Sequence, residues 1–335
     1  MVDYLDPSER LVTVFGGSGF VGRHIIRAFA RRGWRVRAAV RRPDLANFLQ
    51  PIGGVGQVQS VQANLRYPES VVAAVAGARI VINAAGVKAE HGRQTYEAVH
   101  VEGSRAIAAA AKAGGADQLI HISGIGVDPS AENAYIASKA RAEAATLETF
   151  PGATILRPSV VFGPEDGFFN HFAEISRFFF VLPVFTEGKA KLQPVYVGDV
   201  ARAAAAAVDG NLEAGKVYEL GGPEVMTLRE AMQLTLRIVE RKRKLVNLSA
   251  TASYAVAGLT EVASLLTLGR FPSAFTTTRD QVLLLDHDNV VSEAAIAEGR
   301  TLAGLGITAQ GVEAIAPSYL WRYRKSGQYE PSQFA

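Results

Sequence analysis

The 335-residue sequence contains no cysteine. That absence excludes disulfides, thiolate-bound zinc, iron–sulfur ligation and a thiol nucleophile, and it agrees with a reducing compartment. A dominant charge is lacking too: 35 Lys+Arg face 32 Asp+Glu, a formal net charge of +3. So even a balance argues against nucleic-acid binding unless the cations cluster. No uncharged apolar run reaches the ~18 residues a spanning helix needs. The first ten residues carry Asp3, Asp6 and Glu9 and no long apolar stretch, which is not a signal-peptide pattern. The expectation is a chain kept in the cytoplasm. His24, His91, His171 and His287 are scattered without metal-ligand spacing, so no metal is expected. There is no internal repeat and no low-complexity linker.

What is present is an ordinary globular composition, 48% hydrophobic with 32 glycines, at a length that suits one large α/β domain or a main domain with an appendage. Short β-branched runs at 11–15, 36–40, 58–63, 80–83, 119–123 and 154–156 alternate with helical stretches at 21–32, 45–49, 69–75, 94–113 and 134–149. Such alternation implies βαβ units, and strands apolar on both faces imply a parallel sheet covered on both sides. After Pro158 the rhythm breaks at Pro164, Gly167, Pro183, Gly188 and Pro194. Regular segments return at 194–197, 200–208, 217–220 and 228–240, and the last 60 residues read as helices with polar interruptions. The expected fold is a Rossmann-type doubly wound sheet, α/β, with a smaller, mostly helical C-terminal lobe. The domain of 1–165 regains 194–225, and 166–193 with 226–335 forms the lobe.

The strand at 11–15 runs into Gly16-Gly-Ser-Gly-Phe-Val-Gly22 and then a helix. Gly16 allows a tight turn, Gly19 a close approach of backbone to a pyrophosphate, and Gly22 close helix–strand packing. The helix N-terminus offers N–H groups and partial positive charge to the phosphates. Gly17, Ser18, Phe20 and Val21 complete the turn. In NAD-preferring proteins an acidic residue about 20 positions on holds the ribose hydroxyls. Here Arg41 lies 19 residues beyond Gly22. A guanidinium suits a 2′-phosphate, so NADPH is expected over NAD. The competing reading leaves Arg41 and Arg42 as solvated charges and gives the ribose to Asp44.

Ser123 closes the fifth strand, and Tyr135 and Lys139 follow early in a helix. The i,i+4 spacing puts the latter two on one helix face. A phenol is a poor acid–base group near neutrality, and a neighbouring ammonium favours its phenolate. Ser123 is placed to hydrogen-bond a substrate oxygen. Together they can move a proton while a nicotinamide moves a hydride.

Segments 16–22 and 83–86, Ser123, Tyr135 with Lys139, and segments 156–164 and 195–200 resemble, in order over about 225 residues, the extended and atypical short-chain dehydrogenase/reductases. The resemblance implies that Tyr135 and Lys139 are the catalytic pair with Ser123. It implies that Ala84, Ala85 and Gly86 lie against the cofactor and Pro158 near its nicotinamide. Asn64, next to Leu65, stands where an aspartate often holds the adenine amine. His100 stands where the family often has a proton-relay asparagine. Segments 14–23, 40–43, 158–170, 193–200, 218–223, 288–291 and 317–322 are more closely similar to the short-chain-dehydrogenase-like accessory subunits of respiratory complex I in their alphaproteobacterial form. That similarity implies bound NADPH, complex I subunits as partners, and structural support on the cytoplasmic face of the inner membrane where the peripheral arm joins it. Two further readings stand beside it: a free NADP-dependent reductase, epimerase or dehydratase, and a sensor of the NADPH pool.

Two segments are candidate docking surfaces. Seven of the 16 phenylalanines fall between Phe168 and Phe185, either as a core or as a partner-facing patch. Leu245, Leu248, Ala252, Ala255, Leu259, Val262 and Leu266 form one apolar helix stripe after the basic cluster 241–244, readable as core or as a membrane-surface contact.

Overall fold

The computed structural model describes residues 10–266, 282–283, 285, 287–325 and 327, with backbone alone at 260–266. Its strands are β1 (Leu11–Phe15), β2 (Arg35–Val40), β3 (Val58–Gln62), β4 (Ile80–Asn83), β5 (Gln118–Ile122), β6 (Thr154–Pro158) and β7 (Val161–Phe162). They continue with β8 (Val181–Val184), β9 (Lys191–Leu192), β10 (Val195–Tyr196), β11 (Val217–Leu220), β12 (Met226–Thr227) and β13 (Lys244–Asn247). The longer helices are α1 (Phe20–Arg31), α2 (Pro68–Val75), α3 (Glu102–Ala113), α4 (Ala134–Thr149), α5 (Phe169–Phe178), α6 (Val197–Ala205), α7 (Leu228–Ile238) and α8 (Ala250–Leu266).

Seven strands form one all-parallel sheet in the order β11-β6-β5-β4-β1-β2-β3. Helices pack beside it, α1 on α6 and α3 between α2 and α4. The sequence direction of the order reverses between β1 and β4, and the crevice beyond the carboxyl ends of such a pair is where ligands bind in this architecture. Val12, Val14, Ile25, Ile26, Ile82 and Ile120 are fully buried. At about 1.5–3 kcal/mol for each large aliphatic side chain, this apolar sandwich fixes the sheet that carries the crevice.

The described chain divides into two compact units. One takes residues 10–158, Val197–Leu220 and Ser292–Thr308, and the other takes Ser159–Tyr196, 221–291 and 309–327. The first therefore ends at Pro158 instead of 165 and gains Ser292–Thr308, which the sequence pattern assigned to the lobe. Backbone pairing explains the gain. Glu219 N–H in edge strand β11 donates to Arg300 O (3.0 Å), and Ser292 N–H donates to the Glu219 carboxylate (2.7 Å).

The second unit mixes α5, α7 and α8 with the strand pairs β7–β10, β9–β12 and β8–β13. Phe162, Phe169, Leu234, Ile238 and Leu320 share one of its cores. Buried Asp166 accepts N–H groups from Gly163, Phe168 and Asn170 and the Tyr319 hydroxyl (2.7 Å), which ties the start of α5 to the chain near its end. The helix pattern at 245–269 resolves differently from the expected stripe. α8 buries Ser253 and Ala257 and leaves Ala255 exposed and Leu259 71% exposed. The side chains of Val262 and Leu266 lie outside the described residues.

Candidate functional site

The glycine turn takes the expected form for a steric reason. Gly16 has φ +74°, and a Cβ there would stand 2.6 Å from Ala84 O. A Cβ on Gly22 would stand 2.2 Å from Gly16 O. Only glycine lets β1, β4 and the first turn of α1 close this tightly. Gly19 caps α1 without a side-chain acceptor, and Arg23 braces the turn by donating to Ser18 O (2.9 Å) and Gly19 O (3.3 Å).

A cavity of about 220 Å³ opens from this turn. Its lining includes Gly16, Ser18, Gly19, Arg41, Asn64, Leu65, Ala84, Ala85 and Gly86, together with Arg66, Val87 and Gln94. Gly17, Phe20, Val21 and Gly22 shape the turn from behind and do not line the cavity. Arg41 donates to the Gln94 side chain. Arg42 instead forms a two-point ion pair with Asp44 at 3.0 and 2.7 Å. That pair keeps Asp44 out of the lining and leaves Arg41 as the cation after β2 that faces the cavity. Asn64 Oδ1 accepts the Arg66 N–H (3.2 Å), so the carboxamide is already oriented by its own loop.

The loop after β4 is held by buried side chains. Asn83 Oδ1 accepts Ala85 N–H (3.1 Å), while its amide donates to Ser104 Oγ (2.9 Å) and His121 Nδ1 (3.1 Å). His100 Nε2 accepts Val87 N–H (3.0 Å), so its proton sits on Nδ1 and is donated to Ser138 Oγ (2.8 Å). Ser138 in turn donates to Tyr135 O (2.7 Å). Burial and the nearby Lys139 charge lower the His100 pKa to about 4, which keeps the ring neutral. Its ring stacks on Tyr96 (5.3 Å between centroids) and meets Tyr135 edge-on (5.6 Å). His100 is therefore a neutral imidazole with both nitrogens engaged, and it clamps the cavity loop to α4.

Ser123, Tyr135 and Lys139 lie outside the cavity lining. Ser123 follows β5, its N–H donates to Leu156 O (2.8 Å), and its buried hydroxyl has no hydrogen-bond partner among the described residues. Lys139 is buried and donates to Ile122 O (2.9 Å). Burial lowers its pKa to about 8 against the opposing pull of Glu143. Glu143 is itself held by Arg157 of β6 (2.6 Å), an ion pair that anchors α4 to the sheet. The Tyr135 phenol is pushed up by burial. The shift runs against the lowering expected from Lys139, whose ammonium is engaged by a backbone carbonyl. Pro158 is buried at the end of β6 and accepts Ile125 N–H (3.0 Å).

The sequence pattern did not single out Arg66, Gln94, Ser138 or His121. Their roles come from loop paths and from contacts across the sheet, and only Asn83 carried a local signal as the last residue of β4.

The NAD dependent epimerase/dehydratase family matches residues 12–221. The chain belongs to that family. Among its relatives, an Arabidopsis thaliana "NADH dehydrogenase [ubiquinone] 1 alpha subcomplex subunit 9, mitochondrial" is 31% identical over 95% of this chain and 79% of that protein. A "Ceramide reductase" of Caulobacter vibrioides is also 31% identical, over 86% of this chain and 88% of that protein. The solved NADPH-dependent quinone oxidoreductase QOR2 of Escherichia coli superposes with a TM-score of 0.69 at 19% identity, covering 92% of this chain and 99% of that one. At that identity the likeness is one of fold. Within the epimerase/dehydratase family the glycine turn, the cavity and the seven-stranded sheet form one nucleotide-binding architecture.

Proposed function

We propose that this chain is an NADPH-holding accessory subunit of NADH:ubiquinone oxidoreductase, complex I. It would support the peripheral arm where that arm meets the cytoplasmic face of the membrane. The carrying observation is the 31% identity over 95% of the chain to a protein named as a subunit of that complex. No helix among the described residues is long and apolar enough to cross a membrane, in keeping with a peripheral position. Blue native gels of detergent-solubilised membranes test the reading. The protein should co-migrate with complex I, and a protein that never does so refutes it.

The turn and cavity fit a dinucleotide. The glycines leave no room for side chains at 16 and 22, and Arg41 lines the cavity with its guanidinium on Gln94. In this reading residues 16–22 receive the pyrophosphate, Arg41 the 2′-phosphate, Asn64 and Leu65 the adenine end, and Ala84, Ala85 and Gly86 the middle of the nucleotide. Pro158, Tyr135 and Lys139 stand at its nicotinamide end. The sequence has no cysteine to ligate an iron–sulfur cluster, so the nucleotide is the redox group in this assignment.

A second reading, a free NADP-dependent reductase, is favoured by one feature: the buried Ser123 hydroxyl has no partner among the described residues, and Lys139, which donates to the preceding residue's carbonyl, is lowered to about 8. In it Ser123 holds a substrate carbonyl, Tyr135 gives the proton and Lys139 supports the phenolate. Tyr135→Phe separates the two. A reductase loses turnover by orders of magnitude, whereas an accessory subunit keeps its nucleotide and its place in the complex.

A further inference from the structure

The second unit carries a surface that the nucleotide reading does not use. α5 ends at Phe178, and the chain passes through Phe179 and Phe180 into β8. Phe178 is 58% exposed, Phe179 47%, Phe180 77% and Val181 50%. Phe169 and Phe172, on the preceding turns, are buried. Four consecutive large apolar residues facing solvent form a patch of the kind that marks an interaction site.

Parallel pairing of β8 with β13 sets Lys244 opposite Val181, and Lys244 N–H donates to Phe180 O (3.0 Å). This register draws the 241–244 cluster against the aromatic run. The Arg243 guanidinium lies 4.9 Å from the Phe180 ring centroid, and that of Arg177 lies 5.8 Å from that of Phe178. Arg243 is fixed there by donating to Ser176 O (2.7 Å). Partial burial and the nearby Arg243 and Arg177 charges lower the Arg241 pKa, so the cations crowd one another. Glu313 pairs with Arg237 and Glu240 with Arg324. Among the described residues none forms an ion pair with Arg177, Arg241, Lys242, Arg243 or Lys244.

We propose that this aromatic–basic face docks on an anionic phospholipid surface, with Phe178–Phe180 entering the interfacial zone and the surrounding cations meeting headgroup phosphates. The geometry favours lipid over an acidic protein. Protein interfaces are depleted in lysine, and here Lys244 sits opposite Val181 with Lys242 beside it. Here the guanidinium groups lie on the exposed rings, so the apolar and cationic parts must be accommodated together. A headgroup region offers apolar contact and negative charge within one depth.

Full-length protein sedimented with vesicles provides the test. One set is phosphatidylcholine alone, and the other contains about a third phosphatidylglycerol. The protein should pellet with the anionic set, weakly with the neutral set, and release as salt screens the charges. Phe180→Ser and the pair Lys242→Glu/Lys244→Glu, all at exposed positions, should each lower partitioning about tenfold with the circular dichroism spectrum unchanged. Absence of binding to anionic vesicles, or binding indifferent to both variants, overturns the proposal. The inference does not rest on the complex I reading. A chain that co-migrates with the complex yet ignores lipid would sink this proposal alone.

Discussion

Lys139 shows how a candidate catalytic residue carries a cost to stability. Its folded pKa of about 8 lies below the ordinary 10.5 because the ammonium is buried. Between those values the unfolded chain binds more protons than the folded one, so this group makes stability rise with pH across that window. Below about 8 both states are protonated and the full penalty for a buried charge is present. His100 acts at the acid end: folded at about 4 against an ordinary 6.5, it makes stability fall as pH drops between those values. Urea midpoints taken from pH 7 to 10 should therefore rise for the wild type relative to Lys139→Met. A difference that is flat with pH would show that the ammonium is not buried as described. The Tyr–Lys spacing was legible in the sequence. The direction of the Tyr135 shift was not, because it depends on burial among distant residues.

At the scale of elements, the strand–turn–helix at 11–31 shows local sequence and packing in agreement. Gly22→Ala would place a methyl group 2.2 Å from Gly16 O, so α1 must move off β1. A loss of about 1–3 kcal/mol, with weaker nucleotide retention, is expected in urea unfolding and dialysis. An unchanged midpoint would contradict the close approach. Other elements departed from their periodicity. The helix expected at 45–49 is a pair of 3₁₀ turns, Pro43–Leu45 and Asn47–Ile52, with Pro51 inside the second. The helix expected at 94–113 starts as a π-turn, Glu97–Val101, before α3. That widened turn includes His100, whose ring bridges the cavity loop and α4, and the pull of those partners is invisible to a hydrophobic pattern. Over residues 250–259 the expected stripe was not realised for a related reason: the face a helix buries is chosen by its neighbours, and α8 buries a serine.

At the scale of the whole molecule, nucleotide binding is a stability term. A ligand bound only by the folded state at a hundredfold excess over Kd contributes about 2.7 kcal/mol. NADPH should raise the thermal midpoint, and Arg41→Ala should reduce that rise for NADPH more than for NADH. Equal losses would remove Arg41 from the 2′-phosphate. The parallel direction and the strand–glycine turn–helix order could be read from the alternation of periods, because each βα unit is a local object. The transfer of Ser292–Thr308 to the first unit could not, since it depends on backbone pairing with β11.

The sequence by itself determined the features set within a few residues. These are the turn that only glycine can make, the parallel α/β alternation, the Ser–Tyr–Lys spacing, and the exclusion of sulfur chemistry by the missing cysteines. Tertiary structure decided which of seven clustered phenylalanines are core and which face solvent beside the cations, which arginine turns to the cavity, and that His100 is a neutral clamp. The physical reason is one of range. Turns and periods follow from backbone geometry along the chain, whereas burial, pairing and the pKa values that depend on them follow from groups brought together across it.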